Sequence, residues 1–375
     1  MNVRPVLHIV SGLGVGGAEV SLVQIATALQ ARGFPQHVIC VGSLQSIADQ
    51  LRSNGVEVTV LGIKSAAALP GGIIRIARYI RGADPGVVQG WMYHGNLLAA
   101  LAHGLAGRRS ERRLFWNLRA SNMEEDRYTR VIRLSAMFSR WPDLIIANSV
   151  AGAKFHIGRG YASQRMIVVG NGVDTEKFRP DAEARAAIRS ELSIPTHSVV
   201  VIHAARVDPM KDHSTFLSAM AKLPHLRGIL VGSGTETLSL PENVRALGLR
   251  QDMAKLYAAA DIVVSSSAFG EGFSNVIAEG MSAGLIPVAT DVGDAGEIIG
   301  DSGYLVAPGK PAALADALTA AATGPALERI ARGARARERV IKEFPQRKTV
   351  ETYMNLYYMQ HSAPHRPAAA PIFVL

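Results

Sequence analysis

Short runs of Val, Ile and Leu alternate along this chain with longer segments whose apolar residues recur at helical spacing. In the first half the runs at 6–10, 38–41, 56–61, 86–89, 114–118, 143–147 and 166–169 predict strands. In the second half those at 198–204, 228–231, 261–265, 286–289 and 303–306 do the same. Runs this short and this continuously apolar, each followed by a helix-length segment, fit parallel strands covered by helices on both faces. The pattern restarts after the turn-rich segment 171–180, which ends in Pro180. The spacing therefore predicts an α/β protein of two doubly wound, Rossmann-like domains, 1–175 and 176–345. Residues 346–360 read as one more helix, with Tyr353, Leu356, Tyr357 and Met359 apolar. The Pro- and Ala-rich end, 361–375, is expected to lack regular structure.

Composition supports a chain with a sizeable core, at 48% hydrophobic and 19% charged residues over 375 positions. Its one cysteine, Cys40, excludes an intramolecular disulfide. The net charge of +9 is unevenly spread. Residues 1–180 hold 21 Lys and Arg against 11 Asp and Glu, a balance of +10. Residues 181–345 hold 16 against 19, or −3, and 346–375 hold 3 against 1, or +2. The basic half thus faces a different partner from the second half. Segment 126–141 sets Arg127, Arg130 and Arg133 at i, i+3 spacing beside Leu134, Met137, Phe138 and Trp141. That pattern fits a helix lying on an anionic membrane, although a solvated basic helix packed on its own core is the commoner source of such a pattern. No nucleic-acid-binding motif accompanies the charge, so nucleic acid is not an expected partner. With no signal-peptide pattern and no apolar run of about 18 residues, the expected location is the cytoplasm, with peripheral contact at the inner membrane face.

Three segments carry candidate chemistry. The loop Gly12-Leu13-Gly14-Val15-Gly16-Gly17-Ala18-Glu19 follows a strand and opens a helix, and satisfies G-x-G-x-x-G literally. A dinucleotide site also needs an acid about 20 residues on, yet the second strand ends Cys40-Val41-Gly42, and Glu19 opposes an anion at the helix start. A tight turn that brings backbone amides close to a ligand is the better reading. In Glu271-Gly-Phe273-Ser274-Asn275-Val-Ile-Ala-Glu279, two carboxylates span a loop-to-helix junction. Ser274 or Asn275 could cap that helix, and its first amides could meet a hydroxyl-rich or anionic ligand. Arg206 and Lys211, in the loop after the strand 198–204, could hold a diphosphate, and a solvated turn with an Arg–Asp pair is an equally good reading. His94 stands just past the strand 86–89, where a site residue and a packed histidine are equally good readings. No Cys/His zinc spacing, Asp-x-Asp, Walker loop or G-x-S-x-G elbow occurs, so no metal and no cofactor are expected.

In this order, Gly16-Gly17-Ala18-Glu19, Asn171-Gly-Val-Asp174 with Phe178 and Pro180, Arg206…Lys211, Leu230-Val-Gly-Ser-Gly234, Asp261-Ile-Val-Val, Glu271-x7-Glu279 and Pro287-Val-Ala-Thr-Asp-Val-Gly293 resemble the family 4 retaining glycosyltransferases. The likeness runs from Val10 to about Tyr358. It implies the GT-B fold, two Rossmann-like domains facing a central cleft, with the last helix returning to the first domain. It further implies a nucleotide-sugar donor held mostly by the second domain. Arg206 and Lys211 then match the groups on the donor diphosphate, Glu279 the ribose carboxylate and Glu271 the carboxylate on the sugar hydroxyls. Phe273, Ser274 and Asn275 match the amides at sugar and phosphate, Gly16 and Gly17 a loop closing over phosphates or acceptor, and His94 a histidine near the sugar. Val292-Gly293-Asp294 replaces a more usual Gly-Gly and is expected to touch a turn only. The implied activity is metal-independent hexosyl transfer with retention, from a UDP-sugar in preference to GDP-mannose. The acceptor would be a saccharide or a polyprenyl-diphosphate-linked one, in surface or exopolysaccharide synthesis. A sugar-nucleotide epimerase or phosphorylase, an NAD oxidoreductase and a non-catalytic binding protein are the alternatives.

Overall fold

The computed structural model describes residues 3–358 apart from 15, 44–46, 108–111 and 122–124, and only the backbone at 125–127. The expectations for Val15, Arg108, Arg109, the side chain of Arg127, Met359 and the 361–375 end lie outside the described residues. Residues up to Gly170 and those from Arg347 onward form one unit; Asn171–Gln346 form the other.

Unit 1 runs β1 (Val6–Val10), α1 (Gly17–Gln30), β2 (Gln36–Cys40), α2 (Ile47–Ser53), β3 (Glu57–Val60), α3 (Leu69–Ala83), β4 (Val87–Trp91), α4 (Met92–Leu105), β5 (Arg113–Leu118), α5 (Glu125–Phe138), β6 (Leu144–Ala147), α6 (Val150–Gly158) and β7 (Met166–Val168). The strands pair in parallel in the order β3-β2-β1-β4-β5-β6-β7. Residues alternate between two core layers. Val6, Val10 and Val38 pack with α1 and α2 on one face, while Leu7, Ile9 and Val88 pack with α3, α4 and α5 on the other. Each fully buried Val, Leu or Ile contributes about 1.5–3 kcal/mol relative to exposure, which is why these runs become central strands.

Unit 2 runs α7 (Ala182–Glu191), β8 (Val200–Ala204), α8 (His213–Ala221), β9 (Arg227–Val231), β10 (Val244–Ala246), α9 (Met253–Ala259), β11 (Ile262–Ser265), α10 (Asn275–Ser282), β12 (Ile286–Thr290), α11 (Ala295–Ile299), β13 (Tyr304–Val306), α12 (Pro311–Ala322) and α13 (Ala326–Glu343). Its parallel order is β10-β9-β8-β11-β12-β13. Strand β10 has no counterpart in the apolar pattern. It is a three-residue edge, fixed by Asn243, whose amide donates to the carbonyls of Met220, Leu223 and Leu226 (3.0, 2.8 and 3.2 Å).

The last helix, α14 (Gln346–Tyr358), packs on the first face of the unit 1 sheet through Val350, Tyr353, Leu356 and Tyr357. Tyr353 accepts from Asn117 Nδ2 and Arg119 Nη2, both at 2.7 Å, and Tyr357 donates to Gln89 Oε1 at 2.7 Å. In α5 the core side is Ile132 and Ser135, so Leu134 and Met137 face outward with Arg130 and Arg133. Among the described residues, no helix is long and apolar enough to cross a membrane.

In both sheets the direction of chain progression reverses at one place, between β1 and β4 in unit 1 and between β8 and β11 in unit 2. Loops leaving adjacent strands in opposite directions open a crevice there, where ligands bind in such sheets.

Candidate functional site

The unit 2 switch point collects most of the candidate residues. The chain leaves β8 at Ala204 and crosses back through Pro209–Lys211 into α8. Asp208 fixes this turn: its Oδ1 accepts from the Met210 amide (3.0 Å) and its Oδ2 from Arg206 Nε and Nη2 (3.2 and 3.0 Å). Asp212 closes it in the left-handed region, φ 44°, and caps α8 by accepting from Thr215 N at 3.1 Å. From beneath, Ser266 Oγ donates to the carbonyls of Lys211 and Asp212, both at 3.0 Å, and His203 Nε2 lies 2.9 Å from the same hydroxyl. Burial pushes His203 far below its ordinary value, so it supports the loop as a neutral ring.

Beside it, the loop after β11 brings Glu271 against Lys211. Nζ of Lys211 pairs with Glu271 Oε1, which also accepts from Ser267 Oγ at 2.6 Å. Burial acts to raise the Glu271 carboxyl, but the Lys211 charge and these hydrogen bonds outweigh it and hold Glu271 below its usual range; Arg206 adds to the effect. The site thus holds an ionised carboxylate and a cation as each other's counterion, both partly buried.

Two glycines make these loops possible. Gly232, at φ 141°, passes beneath the Arg206 loop, where a Cβ would stand 2.1 Å from Ala205 O. Gly293, at φ 65°, lies against the Glu271 loop, where a Cβ would stand 2.5 Å from Glu271 O. Asp294 N also donates to Gly272 O at 3.0 Å. The 292–294 segment therefore seats the Glu271 loop directly, which corrects the expectation that it touches only a turn.

Helix α10 begins at the same place. Ser274 occupies the N-cap position, but its side chain makes no capping hydrogen bond. Asn275 does not cap either; its Oδ1 accepts from Asn171 Nδ2 at 2.7 Å. Capping by these side chains is thus corrected. The first turn's amides lack intrahelical acceptors, as at any helix start, and the positive end of α10 adjoins Glu271. Phe273 is a core residue packed edge-on against Phe344 (centroids 5.4 Å apart), so only its backbone can serve a ligand.

Glu279 lies one turn into α10 in a different environment. Burial pushes its carboxyl up to about 7; Lys177 and the hydrogen bond from Tyr257 act the other way. The Tyr257 hydroxyl donates to Glu279 Oε2 at 3.3 Å, and Phe178 packs on that ring at 5.9 Å. The two glutamates of one motif are therefore set apart, one firmly ionised and one poised near neutrality.

In unit 1 the residues singled out also gather at the switch point. Gly16 is the N-cap of α1 and Gly17 its first residue, with Glu19 in the first turn. His94 is exposed on the first turn of α4, two residues after Met92, whose φ of 57° is unusual for a residue with a side chain. Ser267, Tyr257 and the fitting of Gly232 and Gly293 were missed from the sequence, whereas the Arg206–Asp208 pair is the one expected on the plainer reading of this loop. Only Tyr257 carried a signal, a hydroxyl inside the apolar stretch Leu256-Tyr257-Ala258-Ala259, which needs a buried partner.

Comparison with known proteins adds the following. The family described as Glycosyltransferase Family 4 matches residues 15–177, and that described as Glycosyl transferases group 1 matches residues 198–323. Among curated proteins, D-inositol 3-phosphate glycosyltransferase of Streptomyces avermitilis is 32% identical over 213 residues, 49% of this chain and 45% of that protein. The protein of the same name from Saccharomonospora viridis is 31% identical over 256 residues, 61% of this chain and 58% of its own. The chain thus spans about half the length of the curated relatives it matches. Anabaena HepE, solved with UDP-glucose, superposes with a TM-score of 0.83 at 22% identity, over 95% of this chain and 99% of that one. Sucrose-phosphate synthase from Thermosynechococcus elongatus gives 0.79 at 19% identity, over 95% and 99%. At such identities the likeness establishes the fold, which is GT-B.

Proposed function

Because the chain belongs to the family 4 glycosyltransferases, we propose that it transfers a hexose-type sugar from a UDP-sugar, with retention, to a saccharide or polyprenyl-diphosphate-linked acceptor. The observation that carries this reading is the Lys211–Glu271 pair at the unit 2 switch point, beside Arg206 and the start of α10. HepE, which shares the fold, binds UDP-glucose, and this supports UDP as the donor's nucleotide. On donor binding the diphosphate takes Lys211 and Arg206 as its counterions. Glu271 is thereby released to accept hydrogen bonds from sugar hydroxyls, while Glu279 accepts from the ribose. The bond between the anomeric carbon and the diphosphate oxygen breaks as charge builds on that oxygen, where the two cations stabilise it. The acceptor oxygen attacks from the same face and its proton passes to the departing phosphate, which retains the configuration. No metal is required in this reading, and activity in EDTA tests that part. Surface polysaccharide assembly at the inner membrane face is the proposed setting.

The test is a thermal-shift panel of UDP- and GDP-sugars, followed by product analysis with the best stabiliser. Lys211→Ala should lower kcat by about 10²–10³, the range for removing one group that stabilises developing charge, with folding retained. Turnover near normal in that variant, or a product without a new glycosidic bond, refutes the proposal.

A further inference from the structure

Helices α3, α4 and α5 cover one face of the unit 1 sheet, and the outer side of α4 and α5 is unlike an ordinary solvated surface. Along α5 and the turn after it, Leu134 (45% exposed), Met137 (76%) and Trp141 (42%) point outward. On α4, which packs beside α5, Leu101 (42%) and Leu105 (52%) do the same. Trp141 is steadied by Phe138, ring to ring at 4.7 Å. Interleaved with them, Arg130, Arg133 and Arg140 are exposed. Helix α4 contains no Asp or Glu, and those of α5, Glu125 and Asp126, stand at its start, eight residues or more before Leu134. Asp143, just beyond Trp141, is engaged by Arg113 at 3.5 Å and by the Leu114 amide at 2.9 Å.

We propose that this α4–α5 face docks on a bilayer containing anionic phospholipid. Leu134, Met137 and Trp141 enter the headgroup boundary while Arg130, Arg133 and Arg140 meet phosphates. Among the described side chains of this face, the exposed apolar residues are interleaved with cations and with no carboxylate, which is complementary to a surface that is apolar within and anionic at its rim. Trp141 has the preferred character for that depth, an apolar ring with one polar edge. Nucleic acid would match the charge but not the apolar row. This surface stands apart from the donor site, so its test does not depend on the donor.

The protein supplies its own reporter. Of its three tryptophans, Trp91 and Trp116 are buried, leaving Trp141 as the exposed one. Vesicles of phosphatidylcholine with one-third phosphatidylglycerol should shift the tryptophan emission to the blue and carry the protein in a flotation assay. Pure phosphatidylcholine should do neither. Replacing Arg130, Arg133 and Arg140 by Gln should weaken binding by roughly fivefold per charge, about a hundredfold in all. Met137→Ser with Trp141→Ser should abolish flotation. Leu327→Ser with Ile330→Ser alters exposed apolar residues on α13 and should leave binding unchanged. All the replaced side chains are exposed, and unchanged thermal unfolding confirms intact folding. Equal binding to neutral vesicles, the absence of an emission shift, loss of binding in the α13 variant instead, or a stable dimer that Met137→Ser dissolves would each overturn the proposal.

Discussion

The contrast between the two glutamates of the Glu271-x7-Glu279 motif yields a prediction with a definite sign. Glu279 moves from an ordinary value of 4.5 to about 7 in the native protein, chiefly through burial. Between those two pH values the folded protein keeps a proton that the unfolded chain has released, so raising the pH through this window lowers stability. Below about 4.5 both states are protonated and no penalty exists; above about 7 both are ionised and it is complete. At about 1.4 kcal/mol per pH unit, the full penalty is about 3 kcal/mol. Glu279→Gln keeps the acceptor for Tyr257 and removes the charge. The variant should therefore be more stable than the native protein at pH 8 by up to about 3 kcal/mol, with the difference closing towards pH 4.5. Urea denaturation at several pH values and constant ionic strength measures this. The same substitution withdraws a charged acceptor from the proposed ribose contact, worth about 1.5–3 kcal/mol, so UDP affinity should fall by roughly tenfold or more. A variant less stable than native at pH 8, or a difference that ignores pH, refutes the assignment.

Other outcomes follow from the same geometry. Gly293→Ala places a Cβ against the Glu271 carbonyl at a left-handed φ; it should cut kcat at least tenfold in steady-state assays. Gly71→Ala meets nothing within 4 Å on α3 and should be neutral or stabilise by about 0.5–1 kcal/mol in thermal unfolding. Tyr353→Phe removes the shared acceptor of Asn117 and Arg119. It should cost about 1–3 kcal/mol and weaken hydrogen-exchange protection along α14 before other elements of unit 1.

Much of the fold was legible because a strand buried on both faces must be apolar throughout. Each apolar run that predicted a strand corresponds to one in the sheets, with ends shifted by a residue or two. Strand β10 was not legible, since a three-residue edge is selected by its neighbour's open backbone and by Asn243, not by its own hydrophobicity. The Asn171–Phe178 segment reads as a linker by composition, yet Asn171 bonds Asn275 and Phe178 packs on Tyr257. The capping expected of Ser274 and Asn275 failed for a related reason. Residue type allows a cap, but Asn275 has a tertiary partner.

The sequence by itself determined the parallel α/β architecture, the glycine-rich turns and the residues able to bind a diphosphate or hydroxyls. These follow from hydrophobic period and side-chain chemistry, which are local properties. Strand order, and with it the switch points that gather those residues, came only from the tertiary structure. So did the pairing of Lys211 with Glu271, 60 positions apart, and the opposite shifts of Glu271 and Glu279. A carboxylate's ionisation depends on the charges and the burial around it, and those neighbours are brought together by long-range packing that no local spacing encodes.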